Sequence, residues 1–225
     1  MTHPHSVSLV IPVREPSSAK SRLVTHNSTV TPAQREALAA AIALDTVEAA
    51  RAARRVGELV VVGALRERLP SVRVIDDPGA GLVAAIEAGL AEVDPALATA
   101  RAVLLGDVPA LGADDLDATI DTALQVFAGT GEYRDSAAAR AFVPDSLGSG
   151  TTFVIAAPGV PHDLRFGPNS STRHRAAGYR ELALSTSAAV RRDVDTLDEL
   201  LQLQRLHDLG ALTLGHRTRA ALDAL

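Results

Sequence analysis

Three aspartates stand where apolar runs stop. Asp107 follows Leu104, Leu105 and Gly106 and precedes Val108-Pro109, so an apolar strand pattern ends on a carboxylate. Asp193-Val194-Asp195 sets two more carboxylates at i and i+2, on one side of an extended segment. Three carboxylates gathered at one rim repel each other unless a hard cation neutralises them, and Mg2+ prefers such oxygen donors together with substrate phosphates. Simpler roles compete: Asp107 ending its strand, Asp193 pairing with Arg191 or Arg192, Asp195 standing beside a helix N-cap. Whether the two strand ends are neighbours decides between them. Asp114, Asp115 and Asp198 fit first helical turns, where a carboxylate favours the dipole.

The 14–30 connection is longer than the ~2–6 residues usual after a strand, and it carries Arg14, Lys20 and Arg22 among Ser17, Ser18 and Ala19. Such a loop can fold over a polyphosphate, Lys as a point charge and Arg as a bidentate fork, or it can be a solvated surface loop. Asp76-Asp77-Pro78-Gly79-Ala80-Gly81 leads from a strand pattern into a helical one. It lacks the Lys-Ser/Thr of a Walker loop and the third glycine of a dinucleotide fingerprint, so a tight capping turn competes with close ligand approach. Two further glycine-containing stretches are Leu147-Gly148-Ser149-Gly150-Thr151-Thr152 and Arg165-Phe166-Gly167-Pro168-Asn169-Ser170-Ser171-Thr172-Arg173-His174. The second sets Ser170 or Ser171 at a helix start, able to hold a carboxylate or phosphate or only to cap the helix. His162, His174, His207 and His216 lack metal-binding spacing and read as structural or surface groups, and His3 and His5 as part of a frayed terminus. There is no Gly-x-Ser-x-Gly and no cysteine, which removes a hydrolase elbow, thiol catalysis, a disulfide framework and Cys-ligated zinc.

The elements that must position these groups are short apolar runs alternating with helical patterns. Runs at 7–13, 58–63, 72–77 and 101–107 are rich in Val, Leu and Ile and suit strands buried on both faces of a mostly parallel sheet. Thr31-Pro32-Ala33-Gln34 opens a helix expected to reach about residue 55, with Thr as N-cap, Pro at N1 and Gln at N3. Further helices are predicted over 81–93, 113–127, 170–178 and, from the Thr196-Leu197-Asp198-Glu199 capping box, 196–206. The runs 140–144 and 151–157 read as an antiparallel excursion, and 190–195 as a last strand. The expectation is one α/β domain over 1–225, whose ligands bind outside the carboxyl ends of the strands.

The 225 residues are 47% hydrophobic and 22% charged, which excludes general disorder. A chain of this length buries roughly 70–75% of its unfolded surface without staples. A net charge of −5, 3% aromatics and no Trp argue against a nucleic-acid partner. No apolar run approaches the ~20 residues of a membrane span, and the 7–13 run, broken by Pro12, is a poor signal peptide; a cytoplasmic protein is expected.

Taken in order, Ile11-Pro12-Val13, Ala19-Lys20-Ser21-Arg22-Leu23, Leu105-Gly106-Asp107-Val108-Pro109, Arg165-Phe166-Gly167-Pro168-Asn169-Ser170-Ser171 and Arg192-Asp193-Val194-Asp195-Thr196 resemble the guanylyltransferases of coenzyme F-420 biosynthesis, the phosphoenolpyruvate or 2-phospho-L-lactate guanylyltransferases. The match runs from about residue 8 to 209. The resemblance implies a three-layer α/β/α sandwich with a Rossmann-like, mostly parallel sheet of the nucleotidyltransferase type. It implies GTP, Mg2+ and a phosphorylated three-carbon acid whose phosphate displaces pyrophosphate, the product passing to a downstream transferase. By the same resemblance Asp107, Asp193 and Asp195 would hold metal, and Thr151, Gly167 and Ser170 the acid. Lys20 and Arg22 would neutralise the triphosphate in a catalytic role shared with Asp107. Pro12, Val13, Asp77 and Gly81 would border the nucleotide. Val83 departs from the family's frequent Asn and cannot make an amide's hydrogen bonds. A related transferase acting on 3-phosphoglycerate or a sugar phosphate, and a degenerate nucleotide-binding protein, are the competing expectations.

Overall fold

Every residue of β1 (Val7–Val13) is buried. Its five aliphatic side chains each contribute about 1.5–3 kcal/mol by leaving water, enough to fix the strand whose carboxyl end matters most below. In this computed structural model, which describes residues 6–13, 30–65, 67–97, 99–128, 139–186 and 188–225, β1 is an interior strand of a seven-stranded sheet. The other strands are β2 (Val56–Gly63), β3 (Arg73–Ile75), β4 (Ala100–Leu104), β5 (Arg140–Pro144), β6 (Thr151–Ala156) and β7 (Arg180–Glu181). They lie in the order β3-β2-β1-β4-β6-β5-β7.

β1 pairs parallel with β2 and β4, β2 with β3, and β5 with β7, while β6 is antiparallel to both β4 and β5. Six strands therefore share one direction and β6 alone opposes them. The expected excursion is the β5–β6 hairpin, placed inside the sheet rather than appended to its edge.

Alternate side chains feed two cores. Leu9, Ile11, Val61, Leu104, Phe153 and Ile155 pack on one face with Val47 of α1 (Pro32–Ala52) and Leu116 and Ile120 of α3 (Ala113–Ala128). Val10, Val60, Val62, Val103, Phe142 and Val154 pack on the other with Ala85 and Ile86 of α2 (Leu82–Ala91). Helices on both faces of the sheet make the three layers that the apolar runs require. A third cluster joins Leu38 and Ile42 of α1 to Val194 and to Leu200 and Leu203 of α5 (Leu197–Asp208). α1 is thus apolar on two sides, which accounts for its run of alanines and leucines. Its Thr31–Gln34 capping box forms as expected, and so does the Thr196–Glu199 box of α5.

Two expectations need correction. Residues 190–195 do not form a strand: Ala189–Arg191 is a 3-10 turn, and the chain then runs on without joining the sheet. The cause is Arg191, only 7% exposed, whose Nε and Nη2 donate to the Asp145 carbonyl at 3.2 and 2.9 Å and anchor the segment through a side chain. The second concerns the C-terminus, where α6 (His216–Asp223) was not foreseen. Its N–H groups at Arg217 and Thr218 donate to Asp45 of α1 at 3.2 and 2.7 Å, a cap supplied by tertiary structure. α4 (Ser170–Ala176) completes the α-helices of the described residues. Among the described residues no helix is long and apolar enough to cross a membrane.

Candidate active site

The sheet order reverses at β1: β2 and β3 lie to one side and β4 to the other. Such a switch point leaves a crevice at the carboxyl ends of the strands. Because β6 runs backwards, its first residue, Thr151, arrives at the same rim as the last residues of β1 and β4. A cavity of about 730 Å3 opens there, within the range that takes small ligands. Pro12 and Val13 line its floor together with Leu105 and Gly106, and Ala39 and Ala43 of α1 leave it room.

One wall is acidic. Asp107 follows β4, and its carbonyl accepts the Val194 N–H at 3.0 Å. Val194 is fully buried in the α1–α5 cluster, so the residues on either side of it, Asp193 and Asp195, are left to line the cavity with Asp107. The two segments carrying the three aspartates are therefore neighbours. Val108 is held as well, its N–H donating to Thr46 Oγ1 of α1 at 3.1 Å.

The other wall is a hydrogen-bonded lattice around the hairpin turn. Asp145, 9% exposed, accepts the N–H groups of Ser149 at 2.9 Å and Gly150 at 2.7 Å, one on each carboxylate oxygen. A side chain at Gly150 would start 2.5 Å from Asp145 Oδ2, so only glycine permits this closure. Ser171 ties α4 to the turn: its Oγ donates to the Gly148 carbonyl at 2.6 Å and its N–H to the Ser149 carbonyl at 3.1 Å. Of the two serines at the helix start, Ser171 is thus structural, and Ser170, 2% exposed, lines the cavity. Gly167 (φ +109°) and Asn169 (φ +56°) hold positive φ where the chain lines the cavity.

Thr151 lies in the same wall, 3.0 Å from Nδ1 of the fully buried His174. Burial lowers the His174 pKa to about 4, against the helping carbonyl of Ser170. His162 is likewise lowered to about 4 by burial, but it serves the far end of β4, bridging the Arg101 carbonyl and the Tyr179 hydroxyl.

Of the residues named from the sequence, Pro12, Val13, Asp107, Thr151, Gly167, Ser170, Asp193 and Asp195 come together around this one cavity. Asp77 and Gly81 are not in its lining: Asp77 is exposed and accepts the Gly79 N–H at 2.8 Å, and Gly81 opens α2 beside Leu82, which does line it. Lys20 and Arg22 lie outside the described residues. Asp145 and His174 were missed as parts of the site. Asp145 was signalled by an Asp opening a Gly-Ser-Gly turn, and His174 by its i+4 spacing from Ser170 on a helix.

The donor set suits a hard divalent cation, being all carboxylate, and four aspartates but no Lys, Arg or His line the cavity among the described residues. The three predicted aspartates do not, however, draw their oxygens into the tightest acidic group. Among the described residues the one set of three candidate ligand atoms all within 4.8 Å of one another is Asp45, Glu48 and His216. That set already has its counter-charge. Arg217 contacts Glu48 at 3.2 Å and His216 at 2.9 Å, and Asp45 caps α6.

No protein-family model matches the chain. It is 41% identical to the phosphoenolpyruvate guanylyltransferase of Streptomyces scabiei, covering 97% of this chain and 96% of that one. It is 39% identical to the protein of the same name from Streptosporangium roseum, over 97% and 91%. Among solved structures it resembles a nucleotidyl transferase from Methanothermobacter, with a TM-score of 0.55 at 17% identity over 92% of this chain and 99% of that one. It also resembles the Rv0371c protein of Mycobacterium tuberculosis H37Rv in complex with manganese, with a TM-score of 0.52 at 20% identity over 89% and 98%. The structures share the α/β nucleotidyltransferase fold, and the sequence relatives fix the membership: the chain belongs to the phosphoenolpyruvate guanylyltransferase family.

Proposed function

We propose that the protein transfers GMP from GTP to phosphoenolpyruvate with release of pyrophosphate, a step of coenzyme F-420 biosynthesis, and that its product passes to a downstream transferase. 2-Phospho-L-lactate and 3-phosphoglycerate are the alternative acceptors. The observation that carries this reading is the meeting of an acidic wall and a hydroxyl-bearing wall around one cavity at the strand switch point, in a chain of this family.

The chemistry is a displacement at phosphorus. A phosphate oxygen of the acid forms a bond to the α-phosphorus of GTP, the bond from that phosphorus to the β-bridging oxygen breaks, and the electron pair leaves with pyrophosphate. The nucleophile is anionic at neutral pH, so no general base is needed, and positioning supplies most of the acceleration. Thr151, Gly167 and Ser170 bind the acid. Pro12 and Val13 border the nucleotide within the cavity, the Asp77–Gly81 turn reaches it only from beyond the lining, next to Leu82, and Lys20 and Arg22 offset the triphosphate charge. Asp107, Asp193 and Asp195 would hold the divalent cation, Mg2+, which when bound supplies charge neutralisation for the triphosphate and the leaving group. The complex of a neighbour of the same fold with manganese supports a divalent ion for this chain. One nucleotidyltransferase domain working in the cytoplasm fits this reading.

Incubation with GTP, Mg2+ and each of the three acids in turn, following pyrophosphate and the nucleotide-linked product, tests the proposal. Release with phosphoenolpyruvate in clear excess over the other two is expected. No release with any of them refutes the reading.

A further inference from the structure

The proton on His174 can be located from its neighbours. The Arg165 backbone N–H donates to Nε2 at 3.0 Å, and a backbone N–H can only donate. Nε2 must therefore be the bare nitrogen. The ring is neutral, its pKa lowered to about 4 by burial, and so carries its single proton on Nδ1. Nδ1 lies 3.0 Å from Thr151 Oγ1. Phe166 and Tyr179 meet the ring edge-on at 5.1 and 5.0 Å and Phe142 lies at 5.9 Å, so apolar rings rather than competing donors surround it.

A threonine hydroxyl has one proton to give. Facing an N–H, Oγ1 can only accept, and His174 is its only hydrogen-bond partner among the described residues. The hydroxyl proton is thereby left for the cavity that Thr151 lines. His162 shows that the outcome depends on the partners. There Nε2 faces the Arg101 carbonyl and must carry the proton, and Nδ1 accepts from the Tyr179 hydroxyl. Two neutral histidines of one fold, His174 buried and His162 half-buried, hold opposite tautomers, and only His174 touches the site.

We propose that His174 is a positioning residue: held as the Nδ1–H tautomer by the Arg165 N–H, it makes the Thr151 hydroxyl a committed donor into the cavity, so that this point of the wall accepts an anionic oxygen, carboxylate or phosphate, of the acid substrate. The inference rests on the reading of Thr151 as part of the acid site. It also gives the buried histidine a use that is neither acid–base nor metal-binding.

The first test needs no substrate. Long-range 1H–15N correlation spectra of the 15N-labelled protein at neutral pH are expected to show His174 with a protonated Nδ1 and a bare Nε2, and His162 reversed; Nε2–H on His174 overturns the proposal. Kinetics then link the tautomer to the site. Thr151→Val is expected to raise KM for phosphoenolpyruvate about tenfold, the loss of one hydrogen bond to a charged group, with KM for GTP unchanged. Thr151→Ser restores it. His174→Asn can place an amide N–H near the Nδ1 position and is expected to stay within about threefold of wild type, whereas His174→Gln, which keeps only the Arg165 contact, approaches Thr151→Val. Equal effects of Asn and Gln overturn the positioning role. With the Nδ1–H tautomer present, an unchanged KM in Thr151→Val overturns the assignment of Thr151 to the acid and the proposal with it. Nε2–H with a raised KM overturns the proposal while leaving that assignment standing. 2-Phospho-L-lactate and its unphosphorylated counterpart, lactate, as competitors distinguish the two oxygen sources. Loss of competition by both in Thr151→Val assigns the carboxylate, and loss by the phosphorylated acid alone assigns the phosphate.

Discussion

On the hairpin side of the cavity, Asp145 uses both carboxylate oxygens on the N–H groups of its own turn, Ser171 fastens α4 to that turn, and His174 fixes the Thr151 hydroxyl. Asp107, Asp193 and Asp195 are brought in by the Val194 N–H, the buried Val194 side chain and the Arg191 anchor on the Asp145 carbonyl, and line the cavity as carboxylates. The hairpin wall is therefore organised by hydrogen bonds within its own turn, whereas the acidic wall gathers three carboxylates from two segments distant in the chain. The difference teaches that a carboxylate at this rim can serve as scaffold: Asp145 spends both oxygens on the N–H groups of its own turn.

The comparison breaks most visibly at the acidic wall. Asp107→Asn and Asp195→Asn are each expected to lower kcat about 10³-fold, roughly 4 kcal/mol of transition-state stabilisation, while the far-UV circular dichroism stays that of wild type. Wild-type turnover in either variant removes that residue from the reaction. Next in size is the pH dependence of stability. His162 and His174 both have folded pKa values near 4, below the ordinary 6.5, so the unfolded chain takes up their protons first. Their stabilisation is full above about pH 6.5 and is lost as pH falls toward 4, by up to ~3 kcal/mol for each histidine. Urea unfolding across that window checks it, and a slope that is flat, or opposite in sign, contradicts the neutral pair. Asp145→Ala comes third, expected to cost about 2 kcal/mol of stability and to raise KM for the acid more than KM for GTP, because the turn loses both of its anchors. Smallest is Ser171→Ala, about 1 kcal/mol with little change in kcat, read from thermal unfolding and initial rates. If Asp145→Ala instead lowered kcat as far as Asp107→Asn, the division of labour between the walls would fail.

The strands were legible because buried parallel strands are continuous apolar runs of the right length, and β1 was bounded to the residue by the Pro12-Val13 end and its polar surroundings. Asp107 was legible for the same reason, as a charge stopping such a run. Residues 190–195 misled because Val190 and Val194 are buried for different reasons, one in the sheet core and one against α1 and α5, with the buried Arg191 between them. α6 left little local signal: its residues are mostly polar, Thr218 alone is buried, and its start is fixed by Asp45, far away in the chain. The part of His174 depends on the Arg165 N–H, and no spacing rule reports which nitrogen a backbone group will meet.

The acidic wall at the strand switch point, rather than the Asp45–Glu48–His216 group, is expected to be where a divalent ion binds with the nucleotide. The direct measurement is an electron paramagnetic resonance titration of Mn2+ into the protein with a non-hydrolysable GTP analogue, comparing wild type with Asp195→Asn and Glu48→Gln. The prediction is saturable nucleotide-dependent binding in wild type and Glu48→Gln that is lost in Asp195→Asn. Binding that survives in Asp195→Asn and disappears in Glu48→Gln would contradict it.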